Sequence, residues 1–163
     1  GSPEYLREIA EEVKVPCLRK DFTVDPYMIY EAKLLGASAV LLICAILDTG
    51  TLAKYLEAAD SLGLSAIVEA HDETEVASAV SAGARIIGVN NRNLKDFTVD
   101  IHNSIRLRSC APAGTIFVAE SGIRTPEDVE TLRQNGVNAV LIGEQLMRAG
   151  SPKEELNRLR GLT

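Results

Sequence analysis

Four phrases in this chain repeat one device. LLGASAV at 34–40, SLGLSAI at 61–67, SAGARII at 81–87 and QNGVNAV at 134–140 each read as a helix stop on glycine, a short loop and a buried strand. Gly36, Gly63, Gly83 and Gly136 stand just past each helix, where a left-handed cap costs glycine least. Apolar β-rich runs recur at Val15 to Leu18, Ala39 to Cys44, Ser65 to Val68, Arg85 to Val89, Thr115 to Ala119 and Ala139 to Ile142, with starts 20 to 30 residues apart. That interval suits one strand, two loops and a helix of about three turns. Strands joined through helices run parallel, and parallel strands are covered on both faces. VLLIC and RIIGV accordingly read as continuous apolar runs.

Helix signals fill the intervals: Pro3 to Val13 ahead of the first strand, Asp25 with Pro26 before YMIYEAKLLG, Thr49 before TLAKYLEAADSLG, Asp72 before ETEVASAVSAG, and Thr125 with Pro126 before EDVETLRQNG. No linker or low-complexity tract interrupts the pattern, so residues 1–163 are expected to form a single, partial domain. The longest apolar stretch, Ala37 to Leu47, is about half of the roughly 20 residues that span a bilayer, and Gly1 to Glu12 is too charged for a signal peptide. A soluble, cytoplasmic protein with no membrane partner is expected. Net charge −6 with scattered Lys and Arg argues against a nucleic-acid partner. Cys17, Cys44 and Cys110 lack metal-ligand or disulfide spacing and are expected to be buried reduced thiols, with no metal site.

Alternating βα order fits both an open doubly wound sheet and a TIM (β/α)8 barrel, and the polar residues favour the barrel. Lys20 follows the first strand, Glu69 ends the third, Asn90 and Arg92 follow the fourth, Glu120 and Ser121 follow the fifth, and Gly143 follows the sixth. By period-2 alternation Lys20 shares a face with Leu18, Glu69 with Ile67, Asn90 with Gly88 and Glu120 with Val118, which is the inward face at a barrel rim. No Gly-x-Gly-x-x-Gly or Walker loop is present. The expected fold is thus six of eight βα units, preceded by a helix, with the first two units absent.

The blocks VPCLRKDF, DPYMIYEAKLLGASAVLLI, IVEAHDETEV, IIGVNNRNLKDF, VAESGIRTPEDV and AVLIGEQLMR, in order and at family-like spacing, resemble indole-3-glycerol-phosphate synthase. That resemblance implies closure of the indole ring of 1-(2-carboxyphenylamino)-1-deoxyribulose 5-phosphate, a small phosphorylated substrate, with loss of carbon dioxide and water and without metal or organic cofactor. It places a lysine acid at Lys20 and a carboxylate base at Glu69. It gives Asn90, Arg92, Glu120 and Ser121 positions that orient the substrate, hold its anthranilate carboxylate or phosphate, and position the lysine and carboxylate, with Asn90 and Glu120 counted among the catalytic residues. Gly122, Gly143 and Glu144 offer backbone N–H groups to a phosphate, the last two at the start of EQLMRAG. The bland alternatives are a solvated charge for Lys20, an Arg92–Asp96 surface pair, a structural pairing of Glu120 with Lys20, and plain tight turns for the glycines. His71 and His102 match no family catalytic position and are expected to be incidental. The family's Glu-x-Lys-x-x-Ser first strand is missing, so the chain alone is expected to be inactive, and to self-associate or be completed by that segment. Phosphoribosylanthranilate isomerase, or a noncatalytic phosphate-binding or assembly fragment, are the competing readings.

Overall fold

The computed structural model describes residues 2–93 and 97–162. In chain order its elements are α1 Pro3–Glu12, β1 Leu18–Arg19, α2 Tyr27–Leu34, β2 Ala39–Ile43, α3 Thr49–Ser61, β3 Ser65–Ala70, α4 Glu73–Ser81, β4 Ile86–Asn90, α5 His102–Arg108, β5 Ile116–Glu120, α6 Pro126–Gln134, β6 Ala139–Leu141, α7 Glu144–Arg148 and α8 Pro152–Leu159. The six strands pair in sequence order, all parallel, in one curled sheet. All four predicted glycine stops have positive φ. Among the described residues no helix is long and apolar enough to cross a membrane.

The register divides the sheet into two faces. Val40, Leu42, Ala66, Val68, Ala70, Ile87, Val89, Phe117 and Ala119 point to the helices and join Leu52, Val76, Leu107 and Leu132 in the main core. Burial of each large apolar side chain there is worth about 1.5–3 kcal/mol. The opposite face carries Leu41, Ile43, Glu69, Gly88, Val118 and Glu120, all buried, but ends at Ile116, which is 48% exposed. This second face is the inside of a half-barrel.

Several boundaries differ from the expected ones. β1 starts at Leu18, not Val15, because Pro16 has no N–H for the ladder and Val15 is uncovered; pairing begins where the Cys17 carbonyl accepts from Ser38 and Ala39. The helix expected to be capped by Thr49 is capped by Asp48, whose carboxylate accepts from the Thr51 N–H at 3.0 Å. Strands β3, β4 and β5 run on through Glu69, Asn90 and Glu120, where a reading by apolarity stops them short. Polar side chains there do not break the ladder: the Glu69 carbonyl accepts from Cys44 N–H at 3.0 Å and that of Glu120 from Asn91 N–H at 2.8 Å.

Candidate functional site

Glu69 and Gly88 are register partners, as are Gly88 and Val118, and Asn90 and Glu120. Glu69, Asn90 and Glu120 therefore share the inner face at the C-terminal end of the sheet, with Lys20 just beyond β1. Gly88 decides how they meet. A Cβ there would collide with Oε1 of Glu120 and lie 3.0 Å from Cγ2 of Ile67, so the Glu120 carboxyl fills the space that a side chain would take. From that position it reaches Glu69.

Two carboxylates this deep cannot share a site while both are ionised. Glu120 is 2% exposed and its Oε1 is buried without a donor among the described residues. Burial, followed by the negative charge of Glu69, pushes its pKa up to about 7, while Lys20 opposes the rise. Glu69 goes the other way. Burial works to raise it, but contacts from His71 and Asn90, aided by the charges of His71 and Lys20, hold it below the usual carboxylate value. Asn90 Nδ2 donates to Glu69 Oε1 at 3.2 Å, and its Oδ1 accepts from the Arg92 N–H at 3.1 Å, so both ends of the amide are committed.

An open cavity of about 430 Å³ lies against this end of the sheet, walled by Lys20, Asn90, Arg92, Glu120, Ser121, Gly122, Gly143 and Glu144. Eight of the nine residues singled out from the sequence thus meet in one wall. Glu69 is not in it; it lies behind Asn90 and 4% exposed, beside a second cavity lined by His71, Glu75, Asn90 and Arg92. Ser121 (φ 67°) and Gly122 (φ 81°) are consecutive left-handed residues, and a Cβ on Gly122 would collide with Val99. Ser121 holds this costly conformation with help from the buried Asn91, whose Nδ2 donates to its carbonyl at 3.1 Å. Asn91 Oδ1 in turn accepts from Ser104 N–H at 3.0 Å and Oγ at 2.7 Å, tying β4, the loop after β5 and α5 together.

Arg92 pairs with Glu144 at 3.2 Å, and Glu144 also meets Arg148 at 3.1 Å. Asp96, the surface partner considered for Arg92, lies outside the described residues. His71, incidental by sequence, has its Nε2 3.3 Å from Glu69 Oε1 and its Nδ1 3.0 Å from Glu75 Oε2. A signal was present, since Glu69 and His71 are two apart at a strand end and share a face. His102 is exposed on Asp100.

Solved structures of low sequence identity share this fold. A mutant tryptophan synthase α-subunit from Pyrococcus furiosus matches with TM-score 0.73 at 14% identity, over 98% of this chain and 72% of that one. A mandelate oxidase mutant matches with TM-score 0.73 at 20% identity, over 96% and 61%. Sequence relatives are far nearer. The indole-3-glycerol phosphate synthase of Ruminiclostridium cellulolyticum is 62% identical over 161 residues, 99% of this chain and 62% of that protein. That of Endomicrobium trichonymphae is 54% identical over 160 residues, 98% and 62%. The chain therefore spans a little under two thirds of the length of these curated relatives. With the family model for indole-3-glycerol phosphate synthase matching residues 1–159, the chain belongs to that family.

Proposed function

We propose that these residues form most of the site of an indole-3-glycerol phosphate synthase acting in the cytoplasm on 1-(2-carboxyphenylamino)-1-deoxyribulose 5-phosphate. The observation that carries this reading is the convergence of Lys20, Glu69, Asn90 and Glu120 at one end of the inner face, with the pKa values of the two carboxyls driven apart, Glu69 down and Glu120 up. Ring closure needs an acid at the ribulose C2 carbonyl and a base as water is lost. Lys20, in the cavity wall, is the acid. Glu69, kept ionised, is the base, and Asn90 orients it. Glu120 supports both, its charge state tied to theirs. Arg92 offers a planar fork to the substrate's anthranilate carboxylate, exchanging Glu144 for it. Ser121, Gly122, Gly143 and Glu144 present backbone N–H groups to the phosphate. No step requires a metal or organic cofactor.

Among the described residues β1 and β6 each have a strand neighbour on one side only. Beside β1, Val15, Phe22, Val24, Tyr27 and Leu34 are exposed. We propose that two further βα units cover this edge in the active protein, and that the 163-residue chain by itself is inactive and self-associates. Joining these residues to the N-terminal part of the 62%-identical relative tests both statements. The chimera should elute as one species and release fluorescent indole product, and Lys20→Met should cut its turnover at least about 10²-fold while KM stays within about tenfold. A folded chimera without turnover, or one indifferent to Lys20→Met, refutes the reading; full activity from the 163-residue monomer refutes the edge proposal.

A further inference from the structure

His71 is not part of the chemistry assigned above, yet its ring lies between two carboxylates, Glu69 and Glu75. Asp72 caps α4 by accepting from the Glu75 N–H at 2.9 Å, which fixes the first turn of that helix. From that turn the Glu75 carboxylate reaches back, accepting from the His71 backbone N–H at 2.8 Å and facing its ring Nδ1 at 3.0 Å. Asn103 Nδ2 donates to the His71 carbonyl at 3.3 Å. Backbone and ring are thus anchored from two helices before the ring meets Glu69. Its other nitrogen, Nε2, then lies 3.3 Å from Glu69 Oε1, a charge contact without the alignment of a good hydrogen bond. An imidazole with a carboxylate oxygen at each nitrogen is satisfied on both sides only when both nitrogens carry protons.

Glu69 and Glu120 are alternative holders of one proton, and nothing in their own chemistry ranks them. Both are glutamates at strand ends, both nearly fully buried. What differs is the surroundings: Glu120 lies over Gly88 with one oxygen lacking a donor, whereas Glu69 Oε1 faces Asn90 Nδ2 and the His71 ring. Asn90 is neutral. Lys20 acts on both carboxyls. The charge of His71 also reaches Glu120, but its ring lies directly against Glu69, 3.3 Å from Oε1, and that contact is the asymmetry.

We propose that His71 is the positioning residue that decides which member of the buried Glu69–Glu120 pair is ionised: clamped by Glu75, its doubly protonated ring keeps the charge on Glu69 and leaves the shared proton on Glu120. The idea rests on Glu69 being the base of the proposed reaction, and explains how a base this deep stays ready. The other groups facing His71 agree with it. Glu75 and Asp72 on α4 are acidic, and Asp100 lies across the adjoining cavity. Cys44 beyond β2 is neutral, its thiol pushed up to about 12 by burial and nearby carboxylates and turned to the Glu75 carbonyl. Contact with Glu69, opposed by burial and reinforced by Glu75, raises His71 to about 9, so the ring stays charged across the neutral range.

NMR on the 163-residue chain tests this without substrate, so its outcome is independent of whether the ring-closure reading holds. The long-range ¹H–¹⁵N spectrum contains two histidines, with exposed His102 as internal reference. At pH 7.5 both ring nitrogens of His71 should show imidazolium shifts; a neutral tautomer for His71 overturns the proposal. In ¹³C-carboxyl titrations His71→Asn should raise the Glu69 midpoint by at least about one pH unit and narrow its separation from that of Glu120. His71→Lys, which returns a cation to the strand end, should restore the original separation. A Glu69 midpoint unmoved by His71→Asn also overturns it. Should that variant fail to fold, Glu75→Gln takes its place: it must lower the His71 midpoint and raise that of Glu69, and failure of either counts against the proposal.

Discussion

Gly88→Ala isolates the feature on which the carboxyl pair depends. The glycine has ordinary extended backbone, so alanine meets no conformational penalty and by propensity alone would stabilise the strand by about 0.5–1 kcal/mol. Against that, the new methyl occupies the seat of the Glu120 carboxyl, 3.2 Å from its Cδ and 3.0 Å from Ile67 Cγ2. Glu120 is almost fully buried and cannot swing into water without opening the sheet end. Overpacking of this kind costs about 1–3 kcal/mol. The net loss is about 0–2.5 kcal/mol, or a fall of up to about 10 °C in Tm for a chain of this length. In a Glu120→Ala background the collision partner is gone, and Gly88→Ala should cost less than about 0.5 kcal/mol or stabilise. The double-mutant cycle should therefore show a coupling of at least about 1 kcal/mol. Urea unfolding followed by far-UV circular dichroism is the assay, since the chain has no tryptophan. Additive single costs, with no coupling in the cycle, would refute the placement of Glu120 over Gly88.

Glu120→Gln should flatten part of the pH dependence of stability. Glu120 is raised in the fold, so its contribution is complete below its ordinary value near 4.5 and is lost as pH rises through about 7. The difference in urea midpoint between Glu120→Gln and the parent should grow in favour of the variant from pH 5 to pH 8; a constant difference would show that Glu120 does not titrate there. Asn91→Ala leaves the Ser104 N–H and Oγ and the Ser121 carbonyl without their partner and should cost about 2–4 kcal/mol in the same assay. Inorganic phosphate should shift the amide resonances of Gly122, Gly143 and Glu144; a titration that moves other amides and leaves these three still would remove the anion site.

What was legible in the sequence is what short-range physics dictates. Glycine stops, apolar runs and the two-residue alternation of strands need no knowledge of distant residues, and they sufficed to place Lys20, Glu69, Asn90 and Glu120 on one face. The misses are of another kind. Strand ends were drawn at the last apolar residue, but Glu69, Asn90 and Glu120 continue their strands because the neighbouring strand satisfies their backbones and a buried polar network takes their side chains. Gly88 reads in RIIGV as one more small residue of a covered strand; its use is set by Glu120 on the next strand, which no local pattern reports.

A fold gains nothing from burying two carboxyls in contact: moving each out of water costs several kcal/mol, and apolar residues of the same size would pack as well or better. Leu41, Ile43 and Val118 show that this inner face accepts plain hydrophobic side chains a few ångströms away. The polar cluster is also accompanied by its own compensations: a glycine for volume under Glu120, an amide committed at both ends beside Glu69, and an imidazole charged from both sides. Each would be superfluous without the others. Stability explains none of them singly, whereas the reaction proposed above, which uses two carboxyls with opposed pKa shifts under the charge of a lysine, accounts for all three. It follows that exchanging Glu69, Glu120 and His71 together for Leu, Val and Phe should leave the chain at least as resistant to urea as the parent, while any one of these changes alone weakens it. A triple variant less stable than the worst single would mean that the cluster holds the fold together.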